Sequence, residues 1–236
     1  MHNNIAIIIP CYNAHETIIK AIERVLVYFP EPKIIIVDDN SPDKSAELIN
    51  ERFSYDKRIK LILRKNKGGR GSAVLRGFQE GLKNKNIEFF IEMDADLCHD
   101  PKYIPIMISK CNMFDVVIAS KYLKESIIKG LNVKRIIFSR IVNSYIRFML
   151  KVPITDFTNG FRCYRREALE KVDFDSFYSK GFILLSEIIY KIYKKGGSFG
   201  EIPFNFVHKE INKSNFNFAE IKEAFITILK LKYNFR

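Results

Sequence analysis

The stretch Phe89-Phe90-Ile91-Glu92-Met93-Asp94-Ala95-Asp96-Leu97-Cys98-His99 decides how the chain reads. Its apolar opening, rich in aromatic and aliphatic side chains, predicts a buried strand. The run stops at two aspartates one residue apart. Residues i and i+2 of a strand point the same way, so Asp94 and Asp96 converge just past its carboxyl end. In an open α/β sheet that is the end where ligands sit. Neighbouring carboxylates raise each other's pKa unless a cation lies between them. Mg²⁺ or Mn²⁺ meets that need, taking oxygen ligands and keeping places for phosphate oxygens. A bare D-x-D more often marks a solvated aspartate-rich turn; here the preceding strand and the rest of the chain favour the ligand end.

Upstream, residues 5–10 form an all-apolar run that predicts a central parallel strand. Asn13 and Glu16 have the spacing of a capping box, which predicts a helix from there to about Tyr28, before Pro30. Residues 33–38 predict a second strand, ending in Asp38-Asp39-Asn40-Ser41-Pro42. Ser41 as N-cap and Pro42 at the first helical position predict a helix to about Phe53. Residues 59–64 read as a third strand. The turn Lys67-Gly68-Gly69-Arg70-Gly71 and a helix to Leu82 complete a strand–helix alternation, which means a doubly wound, mostly parallel α/β sheet. Asp38 and Asp39 end their strand at the same sheet edge as Asp94, where nucleoside hydroxyls or a base could donate to them; helix capping is the alternative. The glycine-rich turn, neither G-x-x-x-x-G-K-[ST] nor G-x-G-x-x-G, could turn backbone N–H groups toward an anion.

Downstream, residues 101–111 predict a helix and 115–120 a fifth strand. Residues 121–135 carry Lys121, Lys124, Lys129, Lys134 and Arg135 against one acid, Glu125, and predict a mobile basic loop. Residues 136–150 predict an apolar helix with Arg140 and Arg147 on one face. Loop and helix together suit an anionic amphiphile at a bilayer surface, with core packing of the helix as the alternative. The turn-rich segment Asp156-Phe157-Thr158-Asn159-Gly160-Phe161-Arg162 sets an acid and a base six apart. Residues 183–195 predict a helix whose Glu187, on an apolar face, needs a donor or a cation. Residues 199–207 predict a strand with Ile202, Phe204 and Phe206 on one face, and 208–217 a polar loop with Lys209 and Lys213. Residues 218–233 predict a last amphipathic helix carrying Lys222, Lys230 and Lys232.

The 236 residues, 47% hydrophobic and 28% charged, suffice for one sizeable α/β domain. No stretch reaches the roughly 18 uninterrupted apolar residues of a membrane span. Met1-His2-Asn3-Asn4 lacks the basic region of a signal peptide. Cys11, Cys98, Cys111 and Cys163 show no C-x-x-C spacing, which argues for reduced cytosolic thiols and against a zinc site. A net charge of +12 suggests an anionic partner, or simply lysine-rich solvated helices. No nucleic-acid module is recognisable, and the aromatics sit in apolar runs rather than on a basic sheet, so nucleic acid is not an expected partner.

Pro10-Cys11-Tyr12-Asn13, Asp38-Asp39-Asn40-Ser41-Pro42-Asp43 and Met93-Asp94-Ala95-Asp96-Leu97 resemble the inverting family-2 glycosyltransferases of GT-A fold. Ala119-Ser120-Lys121-Tyr122, Lys134-Arg135-Ile136-Ile137-Phe138-Ser139, Asp156 to Arg162 and Gly200-Glu201-Ile202-Pro203-Phe204-Asn205-Phe206-Val207 narrow the likeness to the dolichyl-phosphate mannose synthases, in their soluble catalytic-subunit form. The resemblance spans essentially the whole chain. It implies one domain, residues 1–236. Residues 1–120 would bind the nucleotide sugar, and residues 121–236 would bind the acceptor and face the membrane. It further implies transfer of mannose from GDP-mannose to dolichyl or polyprenyl phosphate, on the cytoplasmic face of a membrane, with a small membrane-anchoring subunit as a possible partner.

By the same resemblance, Pro10, Tyr12, Asn13, Asp38 and Asp39 would hold the nucleotide. Asp94, Ala95 and Asp96 would meet the sugar diphosphate, the two aspartates as ligands of Mg²⁺ or Mn²⁺. Lys121, Arg135 and Ser139 would grip the acceptor phosphate. Lys209 and Ser214 fall in a later basic loop over the diphosphate. Asp156 is the expected supporting acid, for sugar hydroxyls or for Arg162, with a turn-capping aspartate as the alternative. The chain departs from the family pattern at Ala14 (usually Glu), at Lys121 and Lys209 (usually Arg) and at Asn212-Lys213-Ser214-Asn215 (usually Gly-x-Ser-Lys). Cys98 stands where some relatives use a Gln on the metal, and a neutral thiol is a poor Mg²⁺ ligand. Two other readings keep the fold: UDP-glucose or another donor on the same acceptor, and transfer to a saccharide hydroxyl with Asp156 as base.

Overall fold

The first elements in the computed structural model, which describes residues 4–208 and 218–234, are β1 (Ile5–Cys11), α1 (Ile18–Tyr28), β2 (Lys33–Asp38) and α2 (Ser45–Phe53). There follow β3 (Ile59–Leu63), α3 (Arg70–Leu82), β4 (Phe89–Glu92), a 3-10 turn Pro101–Tyr103 and α4 (Ile104–Cys111). The second half contains β5 (Val116–Ser120), β6 (Ile128–Lys129), α5 (Val133–Leu150), β7 (Arg162–Arg165) and α6 (Arg166–Glu170). It ends with α7 (Leu184–Lys194), β8 (Phe199–Pro203), β9 (Phe206–Val207) and α8 (Phe218–Asn234).

The main sheet runs β3-β2-β1-β4-β7-β5-β8, parallel except for β7, which is antiparallel to both neighbours. The chain steps outward from β1 to β3 and then returns to lay β4 on the other side of β1. The strand order therefore reverses between β1 and β4, and the crevice beyond their carboxyl ends is the ligand position of a doubly wound sheet. Alternation along the strands feeds two cores. Ala6, Ile8, Ile35 and Val37 pack with α3 and α7 residues on one face. Ile5, Ile7, Ile9, Ile34 and Ile36 pack with α1 and α4 residues on the other. Coverage of both faces explains why β1 and β2 read as continuous apolar runs.

Several local expectations fail for one physical reason: the loops at this edge satisfy one another. Asn13 is left-handed (φ 54°), and α1 starts only at Ile18, so Asn13 and Glu16 form no capping box. The amides of Asn13, Ala14 and His15 donate instead to Ser41 Oγ, Ser45 Oγ and Asp43 Oδ2 at 2.9–3.1 Å. Ser41 is likewise no N-cap: its hydroxyl donates to Asp38 Oδ2 at 2.6 Å, and α2 begins at Ser45, whose N–H goes to Asp43 Oδ1. Segment 121–135 is not a free loop either. Ser126 Oγ donates to Ser120 O and accepts from Phe204 N, and β6 pairs in parallel with β9. The predicted strand 199–207 is thus split between two sheets, although Ile202 and Phe204 do share the buried face. Arg135 lies in the first turn of α5, which Asn132 caps by accepting from Lys134 N.

Candidate active site

Between residues 90 and 99, all buried otherwise, only Asp94 and Asp96 reach solvent. They follow β4 at the switch point, and a left-handed Leu97 (φ 66°) turns the chain back immediately after them. A branched side chain in that region is strained and survives only when its surroundings fix it. Asp96 Oδ1 accepts from Cys98 N at 3.0 Å, which closes the turn. Asp94 is held from two sides. Its backbone N–H donates to His99 Nδ1 at 2.9 Å, and Arg70 donates to its Oδ1 through Nε (2.9 Å) and Nη2.

Those bonds fix the histidine tautomer. Because Nδ1 accepts, the ring proton sits on Nε2, which donates to Asn159 Oδ1 at 3.1 Å. Asn159 Nδ2 donates onward to Ala119 O, and Phe161 stacks on the buried His99 ring at 4.9 Å. Burial pushes the Asp94 carboxyl up, but the Arg70 charge and its hydrogen bonds, with Lys121 farther off, outweigh it and hold the group below the usual aspartate range.

Asp156, fully buried, is the second anion. Oδ1 accepts from Thr158 N, Thr158 Oγ1 and Asn159 N, while Oδ2 accepts from the backbone N–H of Lys121 and pairs with Lys121 Nζ at 2.9 Å. Burial alone would raise its pKa; the Lys121 charge and these donors lower it. Arg162 is not its partner, since its guanidinium donates to the carbonyls of Asn159, Leu185 and Phe157. Glu201 accepts from Thr155 N, Thr155 Oγ1 and Asp156 N and so braces the turn from below. Beside Lys121, Tyr122 donates to Ser139 Oγ at 2.6 Å, and Arg140 lies over the Tyr122 ring. Arg135 and Ser139, four apart on α5, share a helix face above this point.

Beyond β1 and β2, Pro10 is half-buried, Tyr12 and Asn13 are exposed, and Lys67 Nζ sits 3.8 Å from the Tyr12 ring centre. Asp38 is consumed by Ser41 N and Oγ. Asp39 accepts from Gly68 N and Gly69 N and pairs with Arg64, so the glycine-rich turn does present amides to an anion, the chain's own Asp39. Ala95 is buried, and Lys209 and Ser214 lie outside the described residues.

Residues 6–173 match the profile of glycosyl transferase family 2. The chain belongs to that family. It is 34% identical over 224 residues to a polyprenol monophosphomannose synthase of Mycolicibacterium smegmatis, covering 94% of this chain and 84% of the relative. An undecaprenyl-phosphate mannosyltransferase of Micrococcus luteus is 30% identical over 223 residues, 94% of this chain and 91% of that protein. Among solved structures, glucosyl-3-phosphoglycerate synthase of Mycobacterium tuberculosis with Mn²⁺, UDP and glucosyl-3-phosphoglycerate superposes with a TM-score of 0.69 at 16% identity, over 97% of this chain and 80% of that one. This last likeness establishes a GT-A-like α/β fold.

The donor set of this family 2 glycosyltransferase suits a hard divalent ion that is completed by its substrate. Among the described residues no three His, Cys, Asp or Glu side chains are grouped to hold a metal by themselves. Asp94 Oδ2 and Asp96 Oδ2 accept no hydrogen bond from the described residues, and two carboxylate oxygens leave most of an octahedral shell to phosphate and water. His99, with both ring nitrogens engaged, orients Asp94 rather than binding metal. Sequence reasoning passed over Arg70, Glu92, His99, Asn159 and Glu201. Glu92 carried a signal: an acid inside a buried strand needs a partner. It has two, Arg70 Nη1 at 2.8 Å and Tyr164 OH at 3.0 Å.

Proposed function

We propose that this chain is an inverting glycosyltransferase that moves mannose from GDP-mannose to a polyprenyl phosphate such as dolichyl phosphate. The observation that carries the reading is the 34% identity over 94% of the chain to a polyprenol monophosphomannose synthase. The site is consistent with it, because the acceptor's chemistry asks for no free general base. A phosphate monoester has a second pKa near 6 and is already nucleophilic at neutral pH. Its oxygen attacks the anomeric carbon in line, the bond from that carbon to the nucleotide's β-phosphate breaks, and the α-linked donor gives a β-linked product. Catalysis then rests on positioning and on charge stabilisation.

Each residue has a part in this scheme. Tyr12, Asn13 and the Asp38–Asp39 corner bound the nucleotide end. Asp94 and Asp96 would hold Mg²⁺ or Mn²⁺, which would supply charge neutralisation for the departing diphosphate. Arg135, Ser139 and Lys121 orient the acceptor phosphate, and Asp156 aims Lys121. A second reading, transfer to a saccharide hydroxyl with Asp156 as base, is disfavoured by burial of that carboxylate under five donors from three residues.

No helix among the described residues is long and apolar enough to cross a membrane. The acceptor's tail stays in the bilayer, so the enzyme works as a peripheral protein at the cytosolic face, alone or with a small anchoring subunit. Val133, Ile137, Ile141 and Phe148 form an exposed apolar stripe on α5, and Ile221, Phe225 and Ile226 are exposed on α8, which packs against it. A radiolabelled transfer assay with a panel of nucleotide sugars, with and without polyprenyl phosphate, tests the reading. Label entering lipid only from GDP-mannose is the expected result; transfer that ignores the lipid phosphate overturns it.

A further inference from the structure

The residue with the most unexplained investment is Arg70. Its side chain, 12% exposed, opens α3 and crosses to β4, where one guanidinium serves two carboxylates, Glu92 at 2.8 Å and Asp94 through two nitrogens. The space is built for it. A Cβ at Gly160 would stand 2.0 Å from Arg70 Nη2, so only glycine at that position lets the fork lie where it does. Behind it, Ser72 N donates to Lys180 O and a Cβ at Gly71 would stand 2.5 Å from Gly181 O, which clamps the start of α3. The Phe182 ring lies 5.7 Å from the guanidinium carbon. Glu92 is fully buried, and Tyr164 donates to its other oxygen, so the acid that anchors Arg70 is itself saturated.

A guanidinium placed this way does two things to Asp94. It consumes Oδ1, leaving Oδ2, and it sets a permanent positive charge beside the carboxylate that a divalent ion must share. Like charges at such range repel appreciably even where solvent penetrates. We propose that Arg70 is the resident counter-ion of the D-x-D site and holds Asp94 aimed, with Oδ1 occupied, while donor is absent. A divalent ion then binds tightly only together with the nucleoside diphosphate, whose negative charge offsets the arginine. Arg70 is on this account a positioning residue that sets the order of loading. The inference rests on the metal-assisted transfer proposed above and adds to it a dependence of metal on nucleotide.

The test is Mn²⁺ binding, followed by loss of the free-ion electron paramagnetic resonance signal, with no nucleotide, with GDP and with UDP. Arg70→Gln alone would strand buried Glu92, so the comparison is E92Q against the double variant R70Q/E92Q, with circular dichroism and Tm as folding checks. Wild type and E92Q should bind Mn²⁺ weakly alone and at least tenfold more tightly with the matching nucleoside diphosphate. R70Q/E92Q should bind Mn²⁺ alone at least tenfold more tightly than E92Q. Arg70→Lys, which keeps the charge, should stay close to wild type in the Mn²⁺-alone measurement. Equal Mn²⁺ affinity of E92Q and R70Q/E92Q without nucleotide overturns the role of Arg70 and leaves the transfer reading intact. Absence of Mn²⁺ binding by every protein, even with GDP or UDP, overturns the metal reading and this inference with it.

Discussion

Lys121 Nζ lies 2.9 Å from Asp156 Oδ2, and the backbone N–H of the same lysine donates to the same oxygen at 3.1 Å. Lysine is 9% exposed and aspartate 0%, so the pair is dry. A dry pair contributes little net stability against an apolar replacement, but losing one partner leaves a buried charge and costs roughly 3–5 kcal/mol. Asp156 also accepts from Thr158 and Asn159, and Asn159 receives the His99 proton. Lys121 and the D-x-D aspartate are thereby joined through one hydrogen-bonded chain, from Lys121 by Asp156, Asn159 and His99 to the backbone N–H of Asp94.

Asp156→Asn should destabilise the protein at neutral pH, and the penalty should shrink in acid. The native carboxyl has a pKa below its ordinary 3.8. Its stabilisation is therefore fully present above about pH 4 and is lost as pH falls through the lower native value. Urea unfolding at pH 7 and at pH 3 checks the sign. A difference between wild type and variant that grows toward acid would mean that the carboxylate is not the stabilising form.

Asp96→Ala should abolish transfer while leaving the fold intact. Its side chain is half-exposed, and the only hydrogen bond lost among the described residues is the one from Cys98 N. Unchanged circular dichroism and Tm with no product is the expected outcome, and excess EDTA should silence wild type in the same way. Full turnover in either case contradicts a metal on this aspartate.

Arg135→Ala should weaken acceptor use far more than donor use. Arg135 is exposed in the first turn of α5, on the face that carries Ser139. Loss of a charge-assisted contact to phosphate is worth about 1.5–3 kcal/mol, which corresponds to a rise of at least roughly tenfold in acceptor KM. A raised donor KM beside an unchanged acceptor KM would assign this arginine to the other substrate.

The parts legible in the sequence were those fixed by burial. Residues 5–9 and 34–37 could only be strands covered on both sides, and the aspartates ending 33–38 and following 89–93 had to share an edge once the chain alternated strand and helix. The parts that failed depend on partners distant in sequence. Nothing near Asn13 announces that its amide is taken by Ser41, 28 residues on. Strand β7 escaped because Arg162-Cys163-Tyr164-Arg165 has neither an apolar run nor clean alternation; its arginines earn their place through carbonyls and acids elsewhere in the fold. The D-x-D motif does fall just past the carboxyl end of β4, as its pattern predicts, but its geometry is set by Arg70 and His99, and a motif cannot state what lies 24 residues upstream.

The last prediction concerns the bilayer. The α5 stripe of Val133, Ile137, Ile141 and Phe148 recurs at the spacing of one helix face, with exposures between 53% and 74%. Tyr145 of α5 stacks on Phe225 of α8 at 6.1 Å, which joins the two helices into one surface. Lys222 and Lys230 are exposed on α8, and Lys232 lies over Phe148. Near an anionic surface each such cation contributes about 1 kcal/mol, and the contribution is screened by salt. Purified protein should float with anionic liposomes at low salt and leave them at high salt. Exchanging Lys222, Lys230 and Lys232 for Glu should reduce flotation, and Ile137→Ser with Ile141→Ser should reduce it even at low salt, because the apolar contact is not screened. Protein that stays in the soluble fraction with anionic lipid at low salt would mean that a membrane-spanning partner, and not this face, brings the enzyme to its acceptor.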